Sequence, residues 1–285
     1  MFGFVNVYKP KGITSHDVVA ILRRVTKIKQ IGHTGTLDPF AEGVLPIGIG
    51  KATRLIEYLK DDKAYIATVQ LGKSTTTYDI EGEGVNISDK SVTLDEIEQT
   101  LSSFRGNIEQ IPPIYSAIKV KGKKLYEYAR NGQEIEIKPR RVNISELKIL
   151  NYSENNRQLE LFISCSKGTY IRSIANDLGE KLGTYGHLIK LIRVKAGNFE
   201  IKNSIKLENL QTKEEIEQNI APPIKYLNYP RYELSDLEYD RVSHGMSIKE
   251  QTNSKIGTVL LVKENKLIAI GENSDGIIKS SKVFI

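Results

Sequence analysis

Val18, Ile21, Leu22 and Val25 recur at three- and four-residue steps, the spacing that gathers side chains on one face of an α-helix. Thr14 stands just ahead of this run with Asp17 three residues on, a capping box that fixes where the helix starts. Before it, Phe2 to Val7 reads as a short strand and Lys9-Pro-Lys-Gly12 as a turn. A second box, Thr93 with Glu96, opens a helix with Leu94, Ile97, Leu101 and Phe104 as its expected apolar face and Gly106 as its end. A third helix begins near Thr169, with Ile171, Ile174, Ala175, Leu178 and Leu182 on one face and Gly183 as its stop. This places Tyr170 and Arg172 in its first turn, where unpaired backbone N–H groups favour anions.

Elsewhere the period is two. Tyr65, Ala67, Val69 and Leu71 alternate with Ile66, Thr68 and Gln70, a strand with Tyr65 at its start. Further strands are expected over Val142 to Asn151 and Gln158 to Ser164, while Lys73 to Lys90 is a polar excursion. His187 to Ile201 mixes apolar residues with Lys190, Arg193 and Lys195 and yields no assignment; Leu210 to Ile220 reads as a short helix. Pro222-Pro223 and Pro230 then bracket a change of texture. A short helical piece with Gly245 near its end is followed by strand-like runs at Thr258 to Val262, Leu267 to Ile270 and Gly276 to Ile285. The expected architecture is α+β, with a large domain over 1–228 and a small β-rich one over 229–285. No tandem repeat or low-complexity tract is visible.

Composition narrows this picture. A chain of 285 residues can bury one large core and a smaller one. The single cysteine, Cys165, leaves no intramolecular disulfide or Cys-cluster zinc site, and its place after Leu159, Leu161 and Ile163 marks a buried strand position. Histidines at 16, 33, 187 and 244 lack ligand spacing, so no metal is expected. There is no basic leader before a long apolar run and no stretch of 18 apolar residues, so a cytoplasmic protein without a membrane partner is expected. The formal net charge of +6 suits a polyanion but fits many ordinary proteins. More pointed is 108–141, where Lys119, Lys121, Lys123, Lys124, Arg130, Lys138, Arg140 and Arg141 interleave with Tyr115, Tyr126 and Tyr128. That texture suits RNA, although a solvated excursion would look the same.

One carboxylate stands out. Asp38 lies in Gly32-His-Thr-Gly-Thr-Leu-Asp-Pro39, where Pro39 lacks an N–H and Gly32 and Gly35 allow backbone shapes closed to other residues, so the loop is expected to hold one geometry. Taken alone, Asp38 could simply cap the following turn. A nucleotide-binding P-loop ending at Lys51 fails on spacing, because Leu45 and Ala52 occupy positions that need glycine and a hydroxyl.

The run from Gly32 to Pro46, continuing through Gly48-Ile-Gly-Lys-Ala-Thr-Arg54, resembles the catalytic segment of the TruB family of tRNA pseudouridine synthases. Four more segments resemble that family in order: the strand beginning at Tyr65, Pro113-Ile-Tyr-Ser-Ala-Ile-Lys119, Lys123-Lys-Leu-Tyr-Glu-Tyr-Ala-Arg130, and Lys167-Gly-Thr-Tyr-Ile-Arg172. The resemblance implies a pseudouridine synthase fold with a central mixed, largely antiparallel sheet, an RNA-gripping insertion over about 108–141 and a PUA-like C-terminal domain. It implies isomerisation of uridine at position 55 in the T-loop of tRNA, with no cofactor, by the stand-alone bacterial type of enzyme that needs no guide RNA and works as a monomer.

By the same resemblance Asp38 is the nucleophile, Arg172 pairs with it, and Tyr170 lines the base pocket as a candidate proton acceptor. Tyr65 is the stacking platform, His33 contacts RNA around the extruded uridine, Leu191 closes the pocket, and Lys123 and Lys124 belong to the RNA grip. A phenol with a pKa near 10 is a poor base unless perturbed. Core-filling roles for Tyr65 and Leu191 and a surface role for Arg172 remain the plain alternatives. A non-catalytic RNA-binding protein on the same scaffold is the rival class. Retention of Asp38, Tyr65, Tyr170 and Arg172 together argues against lost catalysis and leaves an added RNA-folding role open.

Overall fold

The computed structural model describes residues 1–250 and 256–285. Among them, a ten-stranded mixed sheet organises the larger part of the chain. Strands β1 (Gly3–Lys9), β2 (Ile31–His33), β3 (Glu42–Ile49) and β4 (Lys63–Leu71) supply its first half. In space the order is Ile205–Lys206, β1, β3, Gly186–Ala196, β4, Gln158–Cys165, Arg140–Ser153 and Gly106–Gln110, with β2 paired to β3. Every pairing in this path is antiparallel except Ile205–Lys206 with β1 and Gly186–Ala196 with β3. The expected mixed, largely antiparallel sheet is therefore present.

Helix α1 (Ser15–Thr26) carries the Thr14/Asp17 capping box, and α2 (Leu94–Leu101) the Thr93/Glu96 box. Leu94, expected on the buried face of α2, is half exposed, because the first helical position overhangs the sheet that Ile97 and Leu101 pack against. Helix α4 (Ile171–Leu182), which follows the short α3 (Leu125–Arg130), ends on left-handed Gly183 and packs its apolar face into a core shared with β4 and the 158–165 strand. Tyr170 is extended and precedes α4 instead of lying in its first turn. Cys165 is buried in this core.

Two central strands of the large sheet are among those left unassigned in the sequence. Gly186–Ala196 joins β3 to β4, but its register slips at Leu188/Lys190 and at Arg193/Lys195, and such bulges erase the period-two pattern. Strand β3 contains Pro46 opposite Asn6, a residue that local propensity places outside central strands.

At the C-terminus a five-stranded sheet runs Arg231–Glu233, Gly257–Lys263, Lys266–Ser274, Ile277–Val283 and Ile248–Lys249, with a helix at Asp236–Ser243. The expected β-rich C-terminal unit is present, but it is not an isolated bead. Leu260, Val262, Ile270 and Phe284 from it share one apolar cluster with Phe4, Leu55 and Phe199. No helix among the described residues is long and apolar enough to cross a membrane.

Candidate active site

Asp38 sits in the loop between β2 and β3, and its neighbours are tied down on both sides. Leu37 donates its N–H to Ser15 Oγ at 2.8 Å, and Pro39 O accepts from Gly12 N at 2.9 Å. Lys9, fully buried at the end of β1, donates from Nζ to Pro10 O, Ile13 O and Pro39 O at 2.8, 2.7 and 3.4 Å. Burial pulls the Lys9 ammonium down to about 8, against the opposing pull of Asp38. The rigidity expected of this loop comes from these ties and not from its glycines: neither Gly32 nor Gly35 adopts a positive φ. The glycine that the geometry requires is Gly43, at φ 110°, where a Cβ would stand 2.3 Å from Arg193 O.

The Asp38 carboxyl does not cap the following turn, which closes through a backbone bond from Ala41 N to Asp38 O. It faces Arg172 instead, with Nε 3.0 Å from Oδ2 and Nη2 3.3 Å from Oδ1. The surface reading of Arg172 fails, because its side chain is only 7 % exposed. Nη1 donates to Thr77 O and lies 3.3 Å from Asp79 Oδ2, while Nη2 also reaches Tyr115 O at 3.0 Å. One guanidinium thus bridges two carboxylates and two carbonyls, an arrangement that suits its planar fork.

Asp79 is itself buried and accepts from Thr77 Oγ1 and Glu81 N. The Asp38 side chain keeps about a third of its surface open, on the cavity that it lines. Burial raises its pKa; Arg172 opposes that rise, Asp79 reinforces it, and Lys9 opposes it more weakly.

The cavity holds about 450 Å³ and is lined by Asp38, Tyr65, Tyr170, Arg172 and Leu191 together with Tyr115, Ser116 and Tyr126. Five of the eight expected site residues thus meet in one concave space. Tyr65 and Leu191 sit on neighbouring strands two register positions apart, since Leu191 pairs with Ala67 and Arg193 with Tyr65. Burial pushes the Tyr65 phenol up to about 12 and also raises that of Tyr170, which a Ser116 hydrogen bond only partly offsets. Gln110 fixes Tyr170 by its backbone, accepting its N–H at 2.7 Å and donating to its carbonyl at 3.0 Å.

The remaining three expected residues lie outside the lining. His33, one residue before the lining Thr34, is half-buried with Nδ1 unpartnered, and burial lowers its pKa, helped by the Arg193 and His16 cations. Lys123 and Lys124 stand on a two-residue strand facing Lys119–Val120. Lys123 is exposed, whereas Lys124 donates to Tyr126 Oη at 3.2 Å with its ammonium 5.3 Å from that ring's centre. Tyr126 in turn lines the cavity, so the hairpin borders the site.

Lys9, Asp79, Gln110 and Arg193 escape sequence reasoning. A usable signal exists only for Lys9, which continues the buried alternation of Val5 and Val7 by one step. Among the described residues no group of three or more His, Cys, Asp or Glu side chains is arranged to hold a metal ion.

The profile of the TruB family pseudouridylate synthase N-terminal domain matches residues 23–171, and that of the tRNA pseudouridylate synthase B C-terminal domain matches 172–228. Proteins named tRNA pseudouridine synthase B align along nearly the whole chain. The one from Caldanaerobacter subterraneus subsp. tengcongensis is 41% identical, covering 99% of both chains, and one from Staphylococcus aureus is 42% identical, again over 99% of both. Among solved structures, an H/ACA RNP bound to a substrate RNA containing 2'-deoxyuridine aligns with all of this chain and 85% of its own, at TM-score 0.75 and 25% identity. A Cbf5-Nop10-Gar1 complex gives 0.74 and 26%. With the profile and the full-length relatives in agreement, the chain belongs to the TruB family of pseudouridylate synthases.

Proposed function

We propose that this protein isomerises uridine to pseudouridine in tRNA, at position 55 of the T-loop, with Asp38 as the nucleophile. The observation that carries the reading is the Asp38 carboxylate, held side-on by buried Arg172 at the wall of a cavity lined by four tyrosines. The reaction breaks the N1–C1′ bond, turns the freed uracil and rejoins it through C5, whose proton must then leave. A carboxylate can form the transient covalent bond to sugar or base, as it does in other glycosyl chemistry. Arg172 favours the ionised form of Asp38 against the effect of burial and orients the carboxylate.

A stacked uridine cannot reach this recess, so the base is flipped out of its loop, at a cost of a few kcal/mol. Tyr65 offers a face against which the extruded uracil stacks, worth about 1–3 kcal/mol, and Leu191 closes the pocket. Tyr170 walls the pocket. With its phenol raised by burial it can accept the C5 proton only as the phenolate, which requires the bound substrate to reverse that rise. His33, Lys123 and Lys124 contact the RNA outside the cavity.

In this reading the protein acts as a monomer and uses neither guide RNA nor cofactor, as its likeness to proteins named tRNA pseudouridine synthase B suggests. Residues 1–228 form the catalytic part, and 229–285 add a PUA-like RNA-contacting unit. The test is incubation of the pure protein with unmodified tRNA and mapping of pseudouridine at nucleotide resolution. Asp38→Asn is expected to abolish single-turnover isomerisation while keeping tRNA affinity within a few-fold, because the amide keeps the shape and loses the nucleophile. Substantial turnover by that variant would remove Asp38 from the role.

A further inference from the structure

A second cavity of about 410 Å³ adjoins the first, and the two have Thr34, Lys63 and Lys167 in common. Those three residues therefore form the partition between them. Lys63 stands two residues before Tyr65 on β4, so both side chains leave the same face of the sheet. Its partner across the ladder is Cys165, which brings Lys167, just beyond that strand's end, alongside. Lys63 Nζ donates to Asp61 O at 2.9 Å, and its Cε lies 3.5 Å from where a Cβ on Gly35 would stand, three residues before Asp38.

Charge makes this partition unusual. Lys63, Lys167 and the buried Arg193 gather here, and the two other cations make the Lys63 ammonium harder to keep charged, adding to the effect of burial. Of the nearby acids, Asp62 pairs with Lys195 and Glu57 with Lys282, while Asp61, whose carbonyl accepts from Lys63, favours the Lys63 charge only from beyond ion-pair distance. Among the described residues neither Lys63 nor Lys167 forms an ion pair with a carboxylate. Like charges held together without an ion-pair partner raise the free energy of this partition, and a bound anion relieves that repulsion. The second cavity's lining of Ile56, Leu59 and Phe199 beside polar groups suits a base better than a phosphate, so the anion belongs on the ridge and not in the recess.

We propose that Lys63 and Lys167 together hold the backbone phosphate joining the target uridine to an adjacent nucleotide, whose base then occupies the second cavity. The assignment rests on the isomerase reading above. It makes the two lysines a clamp that sets how far the target strand slides into the first cavity, a role distinct from the peripheral grip of Lys123 and Lys124.

The test uses the full chain and a T-arm stem-loop in which the two linkages flanking the target uridine are replaced, one at a time, by uncharged methylphosphonate. One of these replacements is expected to lower kcat/KM about ten-fold, and Lys63→Gln with Lys167→Gln to do the same on all-phosphate RNA, the size of one charged hydrogen-bonding contact. Combined, the loss should stay near ten-fold instead of approaching about a hundred, because both changes remove one interaction. Lys63→Arg with Lys167→Arg should recover most of the activity. Losses that multiply at both linkages overturn the phosphate assignment. So does a folded Gln variant with unchanged kcat/KM, or indifference of the wild type to methylphosphonate at either linkage. Failure of the wild type on all-phosphate RNA is a separate result, sinking the isomerase reading and this inference with it.

Discussion

At the scale of single residues, the site is an arrangement in which one cation serves two carboxylates. Asp38 is raised by burial and by Asp79, and Arg172 is the main influence pulling it back. The nucleophile has to be ionised, so as pH falls through the raised pKa the reactive form is lost. The acid limb of the single-turnover rate is therefore expected above the ordinary aspartate value of 3.8. Arg172→Gln removes the opposing charge, so the limb should move to higher pH while the plateau rate falls. A limb that stays put or moves down would show that Arg172 does not set the Asp38 ionisation. Asp38 and Arg172 were legible as a pair only through the family resemblance. Their third partner, Asp79, sits in the polar 73–90 excursion, where nothing local marks one acid among several.

Elements show how sequence-distant pieces deliver these side chains. The start of α4 presents Arg172 to the cavity, but its cap is not a local residue: Tyr170 makes no side-chain cap bond, and Gln110, sixty positions away, clamps the Tyr170 backbone. Such a cap leaves no mark in the α4 sequence, which is why the helix start reads a residue or two early. Gln110→Leu removes the acceptor of that N–H, while the carbonyl keeps its bond from Ile174 N, and is expected to cost about 1–3 kcal/mol of stability for the one orphaned group. A denaturant titration measures it, and a change under half a kcal/mol would mean that water replaces the clamp.

Local patterning captured α1, α2, α4 and the β4 strand because caps and period survive in them. It missed Gly186–Ala196 because two bulges and three cations interrupt its alternation. The 119–124 hairpin is a different kind of element, defined by its turn at Lys121 and Gly122 and by charge. Lys123 and Lys124 on it are not equivalent: Lys124 is committed to Tyr126, whereas Lys123 is exposed. Lys123→Gln should flatten the slope of log affinity against log salt by close to one unit if it meets a phosphate. Lys124→Gln should weaken tRNA binding with a change in Tyr126 packing as well. An unchanged slope for both would return the hairpin to an ordinary solvated surface.

For the whole molecule, the sequence places every candidate catalytic side chain before Pro222-Pro223, which makes the C-terminal unit look dispensable. Packing contradicts that independence. Phe284 stacks on Phe2 at 5.5 Å between ring centres, with the Arg54 guanidinium at the same distance over its face. Lys282 lies over Tyr58 and pairs with Glu57, and Lys51 and Arg54 donate to the carbonyls of Ile285 and Val283. Apart from Phe2, these partners lie on the 50–58 turn of 3₁₀ helix that leads from β3 to β4 and lends Thr53, Ile56 and Glu57 to the second cavity.

Removing residues 230–285 would therefore uncover part of the cluster around Phe2, Phe4, Ile224 and Leu227. Each large apolar side chain returned to water costs about 1.5–3 kcal/mol, so two of them alone take roughly 3–6 kcal/mol from a total that is usually about 5–15. The truncated chain should melt at a clearly lower temperature and lose activity on an isolated T-arm stem-loop as well as on tRNA. The discriminating comparison repeats the activity assay at a temperature where the truncation is fully folded. Recovery of stem-loop turnover there would show that the C-terminal sheet acts by supporting the 50–58 segment. An equally high melting temperature with full stem-loop activity would show instead that the shared cluster is incidental and the catalytic part folds alone.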